Sequence, residues 1–358
     1  MPSVTPLRHR GGTCRLPSAS RSPCCGLPRA SPVRRKLYSM RLRVCTATVA
    51  TVALLAPVAH ATFSGRRGLI AFSDGGGSVY SPGSCDMDPA SCEFPSGHLL
   101  TISERGRHRR ILDVCQRKTA CAEASAPAWD PHGHRLAFDT DKGVGITDAQ
   151  GRNLRLLSYA GNGTSQARPA WSPDGRQIAV EGVHRHRDNL FILDVATGRS
   201  RELPVSRAIN PDWSIRGWIV FERYSASFDR NNVWMVRPSG RGLRQLTFTG
   251  GHSPSWSPHG TKILYVRPPR STAGYGADEG DLFVLNPRTR RRFRVTRQHA
   301  ADGTWSPDGK YVAFVSDPCS SIDFSCPDIF ISSTRGGHVR QITRDGNSQQ
   351  PAWRPTHR

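Results

Sequence analysis

Arg168–Val180 reads RPAWSPDGRQIAV, and its recurrence decides the architecture. A Pro-x-Trp segment is followed by Ser-Pro-Asp-Gly and then by an apolar run. Versions recur around Trp129 (APAWDPHGHRLAF), Trp213 (NPDWSIRGWIVF), Trp256 (SPSWSPHGTKILYV), Trp305 (DGTWSPDGKYVAFV) and Trp353 (QPAWRPTHR). Successive tryptophans lie 42, 42, 43, 49 and 48 residues apart. A repeat of this period marks an array of supersecondary units, each too small to bury its own apolar face.

The copy at Trp171 serves as template. Ala167 to Trp171 reads as a short extended segment. Ser172-Pro173-Asp174-Gly175 is a turn, because Pro presets φ, Asp suits the next position and Gly accepts the positive φ that closes a hairpin. Gln177–Val180 is a second strand, His184–Asp188 a polar loop, Leu190–Val195 a third strand and Arg199–Leu203 a charged fourth strand. No long segment shows a 3.6-residue apolar period, so helix is expected to be nearly absent. Four antiparallel strands per repeat predict an all-β chain, a β-propeller of four-stranded blades. The last repeat stops after its first strand, at Gln350–Pro355. The first begins at Arg66 without a Trp-Pro strand and offers only Leu69–Ser73, Leu99–Ser103 and Arg109–Leu112. The C-terminal strand is therefore expected to complete the N-terminal blade. That gives six blades and a closed ring, which removes the exposed edge of an open array. In the fourth blade Ile215-Arg216 replaces Pro-Asp, and its turn is one residue shorter.

These Pro-x-Trp-Ser-Pro-Asp-Gly repeats resemble the TolB-like, or PD40, propeller repeat. In the true WD40 repeat the Trp-Asp pair ends the third strand, whereas here Trp lies on the first. The resemblance covers about residues 66–355. It implies a six-bladed propeller and a binding role, in a secreted bacterial member lacking the α/β domain that precedes the propeller in TolB.

The 358 residues carry a formal charge of +22. Residues 1–61 hold ten Lys and Arg and no Asp or Glu, which leaves 40 basic against 28 acidic side chains beyond them. Residues 1–39 read as disordered or as a mis-set translation start. Residues 40–61 read as a secretory signal: Arg41 and Arg43 precede the apolar run Val44–Val58, and Ala59-His60-Ala61 fits a cleavage site. The run is shorter than the ~20 residues of a spanning helix, so no stable membrane span is expected. Residues 62–358 are then the propeller, at work outside the cytoplasm, in the periplasm or cell envelope. Six of the ten cysteines follow the cleavage site, in three close pairs: Cys85/Cys92, Cys115/Cys121 and Cys319/Cys326. Close pairs behind a signal sequence read as disulfides rather than metal ligands.

Blade topology gives the ring two faces. The Ser-Pro-Asp-Gly turns lie on the first, where Asp174 and Asp308 are expected to form turns rather than bind. The long loops Asp74–His98, Arg267–Gly280 and Asp317–Pro327, and all three cysteine pairs, fall on the second, in adjoining blades. Variable loops on a rigid scaffold are where binding residues concentrate, although disulfides also staple long loops for durability alone. First strands enter the channel from this second face. The residues three before each Trp, with His252, put Arg168, Asn210, His252, Asp302 and Gln350 in a polar ring at the channel mouth. That ring suits a ligand or a water-filled channel equally.

Catalytic signals are poor. No Gly-x-Ser-x-Gly elbow is present, and His184-x-His186 and His132-x-His134 read as solvated basic loops. No metal and no cofactor are expected. The arginines of the fourth strands, among them Arg155, Arg201, Arg244 and Arg340, read as charges that block edge-to-edge pairing. Nucleic acid is not an expected partner outside the cell. The sequence points to a monomeric, non-enzymatic scaffold for a protein, a peptide or an envelope glycan. The alternative is a polysaccharide lyase or hydrolase with its site in the channel mouth.

Overall fold

The computed structural model describes residues 62–74, 97–115, 121, 123–157, 168–225, 231–269, 280–297, 299–318 and 326–357. The signal-like segment, Cys85, Cys92 and Cys319 lie outside them. Blade 1 holds β1 (Arg66–Ser73), β2 (Leu99–Ile102) and β3 (Arg110–Leu112). Blade 2 holds β4 (Ala124–Trp129), β5 (Arg135–Thr140), β6 (Gly143–Asp148) and β7 (Arg155–Leu157). Blade 3 holds β8 (Ala170–Trp171), β9 (Gln177–His184), β10 (Arg187–Asp194) and β11 (Ser200–Ser206). Blade 4 holds β12 (Ala208–Trp213), β13 (Ile219–Tyr224), β14 (Asn231–Val236) and β15 (Arg244–Gln245). Blade 5 holds β16 (His252–Trp256), β17 (Ile263–Arg267), β18 (Asp281–Leu285) and β19 (Arg292–Arg294). Blade 6 holds β20 (Ala300–Trp305), β21 (Tyr311–Ser316), β22 (Asp328–Ser333) and β23 (Arg340–Gln341), and β24 (Gln349–Thr356) ends the chain. Among the described residues there is no helix.

Every sheet has four antiparallel strands, and β24 is the inner strand of blade 1, ordered β24-β1-β2-β3. The register runs from Arg66↔Thr356 to Ser73↔Gln349. First strands neighbour one another in the cyclic order β24-β4-β8-β12-β16-β20 and back to β24. The ring is thus closed by its own two ends, as the truncated terminal repeats require.

The repeated tryptophans explain why the blades stack. Trp129, Trp171, Trp213, Trp256, Trp305 and Trp353 are all buried, between 0% and 3% exposed. Each contributes roughly 4–6 kcal/mol of transfer free energy. Trp171 donates its indole N–H to Ala128 O of blade 2 at 3.0 Å, and Trp305 to Ser255 O of blade 5 at 3.1 Å. The turns behave as their residues dictate. Ser172 Oγ donates to Asp174 Oδ1 at 2.6 Å, and Gly175 takes φ 65°. In blade 3 Ser172 N closes on Gln177 O, whereas in blade 4 Ser214 N closes on Trp218 O, one residue sooner.

Two features differ from the sequence reading. The polar loop His184–Asp188 is mostly strand: β9 and β10 pair out to His184↔Arg187, leaving a two-residue turn, Arg185-His186, with φ 51° and 62°. Pairing with an extended β11 overrides the polar composition. The arginines of the fourth strands do more than guard edges. Arg155 Nη2 donates to Ala196 O and Arg201 Nη2 to Pro238 O, both at 2.8 Å. Arg244 reaches Pro287 O and Arg340 reaches Glu104 O. Each guanidinium crosses to a turn of the next blade.

The N-terminal segment has a place that no pattern announces. Gly65 N donates to Pro307 O on the first-face turn of blade 6, and Thr62 Oγ1 lies 3.1 Å from Thr304 Oγ1 on β20. Phe63, 3% exposed, belongs to the apolar cluster of blades 2 to 4, with Ala128, Ala170 and Trp171. Residues 62–65 therefore hold to blade 6 through Thr62 and Gly65, while Phe63 adds to the apolar cluster of blades 2 to 4.

Candidate functional site at the channel mouth

The residues three before each Trp share one backbone state. Ala126, Arg168, Asn210, Ser253, Asp302 and Gln350 all have positive φ, between 43° and 57°. None is glycine, so each costs about 1 kcal/mol or more. The cause is a β-bulge. In blade 2 Ser125 pairs with Asp139 and Ala128 with Ala137, so Ala126 and Pro127 face one residue, Phe138. The same interruption occurs on β12, β16, β20 and β24. The residue after each left-handed position is Pro127, Pro169, Pro211, Pro254 or Pro351, and Gly303 in blade 6. Pro has no N–H to lose at an unpaired position, and a strand tolerates it there.

The bulge turns a backbone N–H sideways onto the preceding blade. Ala126 N donates to Gln350 Oε1 at 2.7 Å, Asn210 N to Glu181 Oε2 at 2.7 Å and Ser253 N to Glu222 Oε2 at 3.1 Å. Glu181 ends the apolar run Ile178–Val180, and Glu222 the run Ile219–Phe221. These two buried acids are functional candidates that the sequence reading missed. The available signal was an acid directly after the apolar run of a second strand.

Three of the five sequence-nominated residues meet in one network. Arg168 Nη1 donates to Asn210 Oδ1, and its Nε lies 3.7 Å from Glu181 Oε1. Asn210 Nδ2 donates to Glu222 Oε2 at 2.9 Å. His252 Nδ1 is 3.1 Å from Glu222 Oε1, which also accepts from Asn231 Nδ2. The chain Glu181–Arg168–Asn210–Glu222–His252 spans blades 3, 4 and 5. Gln350 stands apart, accepting from Ser73 Oγ at 2.8 Å as well as from Ala126 N. Asp302 takes the same left-handed conformation on β20. All five nominated residues are buried, from 0% exposed at Asn210 to 7% at His252 and Asp302.

The environments push the two glutamates apart. Burial raises the Glu181 carboxyl to about 7, against the pull of the Arg168 guanidinium and the Asn210 amide. Burial acts on Glu222 too, but the charge of His252 and hydrogen bonds from His252, Asn210 and Ser253 outweigh it. Its carboxyl is held below the ordinary value. Deeper in the channel Asp212 is raised to about 7 by burial, against hydrogen bonds from Trp256 N, Trp213 N and Ser255. Its Oδ1 is buried without a hydrogen-bond partner.

With this geometry the known proteins can be compared. A stretch of 102 residues is 34% identical to a TolB homolog of Chlorobium luteolum, covering 27% of this chain and 23% of that protein. A stretch of 101 residues is 30% identical to an uncharacterised protein of Agrobacterium fabrum, covering 27% of this chain and 34% of that one. The match thus spans between about a quarter and a third of the length of these curated relatives. Among solved structures, TolB from Acinetobacter baumannii superposes with a TM-score of 0.62 at 15% identity. It covers 81% of this chain and 67% of its own. A chain of the nidogen/laminin complex superposes with a TM-score of 0.58 at 11% identity, covering 80% and 98%. No protein-family profile matches the chain. The chain folds as a six-bladed β-propeller similar to that of TolB.

Within this propeller the other nominated groups sit away from the ring. Cys115 and Cys121 form a disulfide with a Cα–Cα distance of 5.0 Å, on the connection from blade 1 to blade 2. Cys326 is disulfide-bonded; its expected partner Cys319 and the pair Cys85/Cys92 lie outside the described residues. His184 Nδ1 pairs with Glu202 Oε2 at 2.6 Å on the outer edge of blade 3. His132 and His134 are exposed on the first face, their ring centroids 6.1 Å apart. Among the described residues no three His, Cys, Asp or Glu side chains group to hold a metal, and no helix is long and apolar enough to cross a membrane.

Proposed function

We propose that this chain is an extracytoplasmic binding scaffold, with its binding surface on the second face around the channel mouth. Its partner is a protein, a peptide or an envelope glycan. One observation carries the reading: six left-handed, non-glycine residues converge on the same mouth, and three blades lock their side chains there into one buried network. Strain of this kind persists only where the surrounding structure over-determines it, and it clusters at ligand-binding sites. A disulfide on the second face supports an oxidising compartment.

A channel-mouth lyase or hydrolase has one observation in its favour. Glu181 and Glu222 are linked through Asn210, and their environments separate their proton affinities, the pattern of an acid and a base. Both are buried, 4% and 0% exposed, behind the side chains that bind them, so the scaffold reading is preferred. Affinity capture from envelope extracts tests it. Full-length chain is compared with a variant in which residues 75–96 are replaced by a short Gly-Ser linker. The proposal expects the shortened loop to lose the captured partner; unchanged capture removes the second face from consideration.

A further inference from the structure

Two cavities lie outside the channel mouth, at equivalent places in alternate blades. One, of about 580 Å³, is lined by His184, Arg185, Arg187, Asn189, Glu202 and Ser206 of blade 3, among others. The other, of about 530 Å³, is lined by Arg267, Asp281, Arg294, Arg297 and His299 of blade 5 and its exit, among others. Both sit where the second strand ends, the third begins and the fourth returns, which places them on the second face. Both are open clefts at the surface rather than enclosed pockets. Neither is lined by Arg168, Asn210, His252, Asp302 or Gln350.

Each cavity combines an excess of cations with one carboxylate. Among the described residues, no acidic side chain pairs with Arg185, Arg187 or Arg297. Glu202 is held by His184 Nδ1 at 2.6 Å and by Asn189 Nδ2 at 2.8 Å. Asp281 is held by Arg294 Nη1 at 3.0 Å. A carboxylate so anchored keeps lone pairs free to accept from a ligand. Between the cavities, in blade 4, the basic character continues. Arg223 sits over the Trp234 ring at 5.0 Å and donates from Nε to Ser206 O at 3.0 Å, on the rim of the first cavity. Arg207 is close enough to help lower the Arg223 pKa, after burial, and its own Nε is buried without a partner.

Blade 3 also has a seven-residue outer strand, β11, where the other outer strands have two or three residues. A long edge invites strand addition by a peptide. This one is blunted: Pro204 lies within it, Arg201 and Glu202 are exposed, and its pairing with β10 is interrupted between Asn189 and Phe191. These are the devices that keep an edge from pairing. The groove beside it therefore suits a ligand that makes side-chain contacts.

We propose that these two cavities bind a linear acidic glycan, with an acidic sugar in each. Arginine and histidine pair with the sugar carboxylate, and Glu202 or Asp281 accepts from its hydroxyls. Poly-L-glutamate has no hydroxyl to offer those two carboxylates; an acidic glycan does. The site is additional to the channel-mouth ring, so its failure leaves that reading standing.

Titration calorimetry on the full chain tests the assignment. The probes are alginate oligosaccharides, dextran oligosaccharides of matched length and poly-L-glutamate. Alginate is expected to bind most tightly, and added salt to weaken it. The double variant Arg187→Gln, Arg297→Gln is expected to lose affinity by roughly tenfold or more with an unchanged melting temperature. Glu202→Gln makes the site more positive, yet it is expected to weaken alginate. Binding of poly-L-glutamate or dextran as tight as alginate overturns the proposal. So does tighter alginate binding by Glu202→Gln, an unaffected double variant, or no alginate binding at all.

Discussion

Replacing Asp212 by Asn should change how stability depends on pH, by an amount that the structure sets. Asp212 lies on β12 at the channel, fully buried, with Trp256 N donating to Oδ2 and with Oδ1 orphaned. Burial raises its folded pKa to about 7 from an ordinary 3.8. The folded chain holds this proton between about pH 4 and 7 while the unfolded chain has released it. Stability from this group is full below about pH 4, declines as pH rises, and is lost above about 7. The loss amounts to about 4 kcal/mol. Asn has the shape of the protonated acid and keeps one oxygen for Trp256 N. Wild type and Asp212→Asn should therefore match within about 1 kcal/mol near pH 4. Near pH 8 the variant should be more stable by up to about 4 kcal/mol. Denaturant unfolding of both chains across that range is the assay. Glu181 drifts in the same direction in both proteins and cancels in the difference. A gap that stays constant from pH 4 to 8, or that opens toward acid, would refute the reasoning.

Other perturbations separate the parts of the account. Glu222→Gln leaves a neutral amide where Asn210, Asn231, His252 and Ser253 all converge. It should cost about 3–5 kcal/mol by denaturant unfolding, and a cost under 1 kcal/mol would mean that the network is not integral. Because the folded pKa of Glu222 is depressed, its contribution is present above pH ~4.5 and lost as pH falls through the folded value, opposite in sense to Asp212. Phe63→Ala should destabilise by about 3 kcal/mol; an unaffected melt would mean that Phe63 adds nothing to the apolar cluster of blades 2 to 4. Arg201→Gln should cost about 1 kcal/mol through the lost bond to Pro238 O, whereas a pure edge-charge role predicts more aggregation and no loss.

Blade count and ring closure were legible because both reside in local sequence. A Trp every 42 to 49 residues and a missing first strand at one end suffice to predict β24 beside β1. The shorter turn of blade 4 was legible for the same reason: Ile215-Arg216 breaks the Ser-Pro-Asp-Gly pattern. Arg168, Asn210, Asp302 and Gln350 were nominated from their place three before a Trp, with His252 nearby, yet the left-handed conformation those four share was not anticipated. Its signal was present in Pro127, Pro169, Pro211, Pro254 and Pro351, residues that a regular inner strand would exclude. Glu181 and Glu222 escaped notice because their partners come from the next blade, 29 and 31 residues away. The arginine crossings and the packing of Phe63 depend on how blades sit against one another, which no single repeat encodes. The cleft of blade 3 was hidden by a reading of His184–Asp188 as loop, where strand pairing continues to a two-residue turn.

Site-specific photo-cross-linking tests the binding surface most directly. A benzophenone amino acid is placed at Asp302 on the channel mouth, or at Asp308 on the first-face turn of the same blade. Each chain is then produced in its native host and irradiated. The account predicts one defined adduct from Asp302 and none from Asp308. An adduct from Asp308 alone, or equal labelling at both, would contradict it.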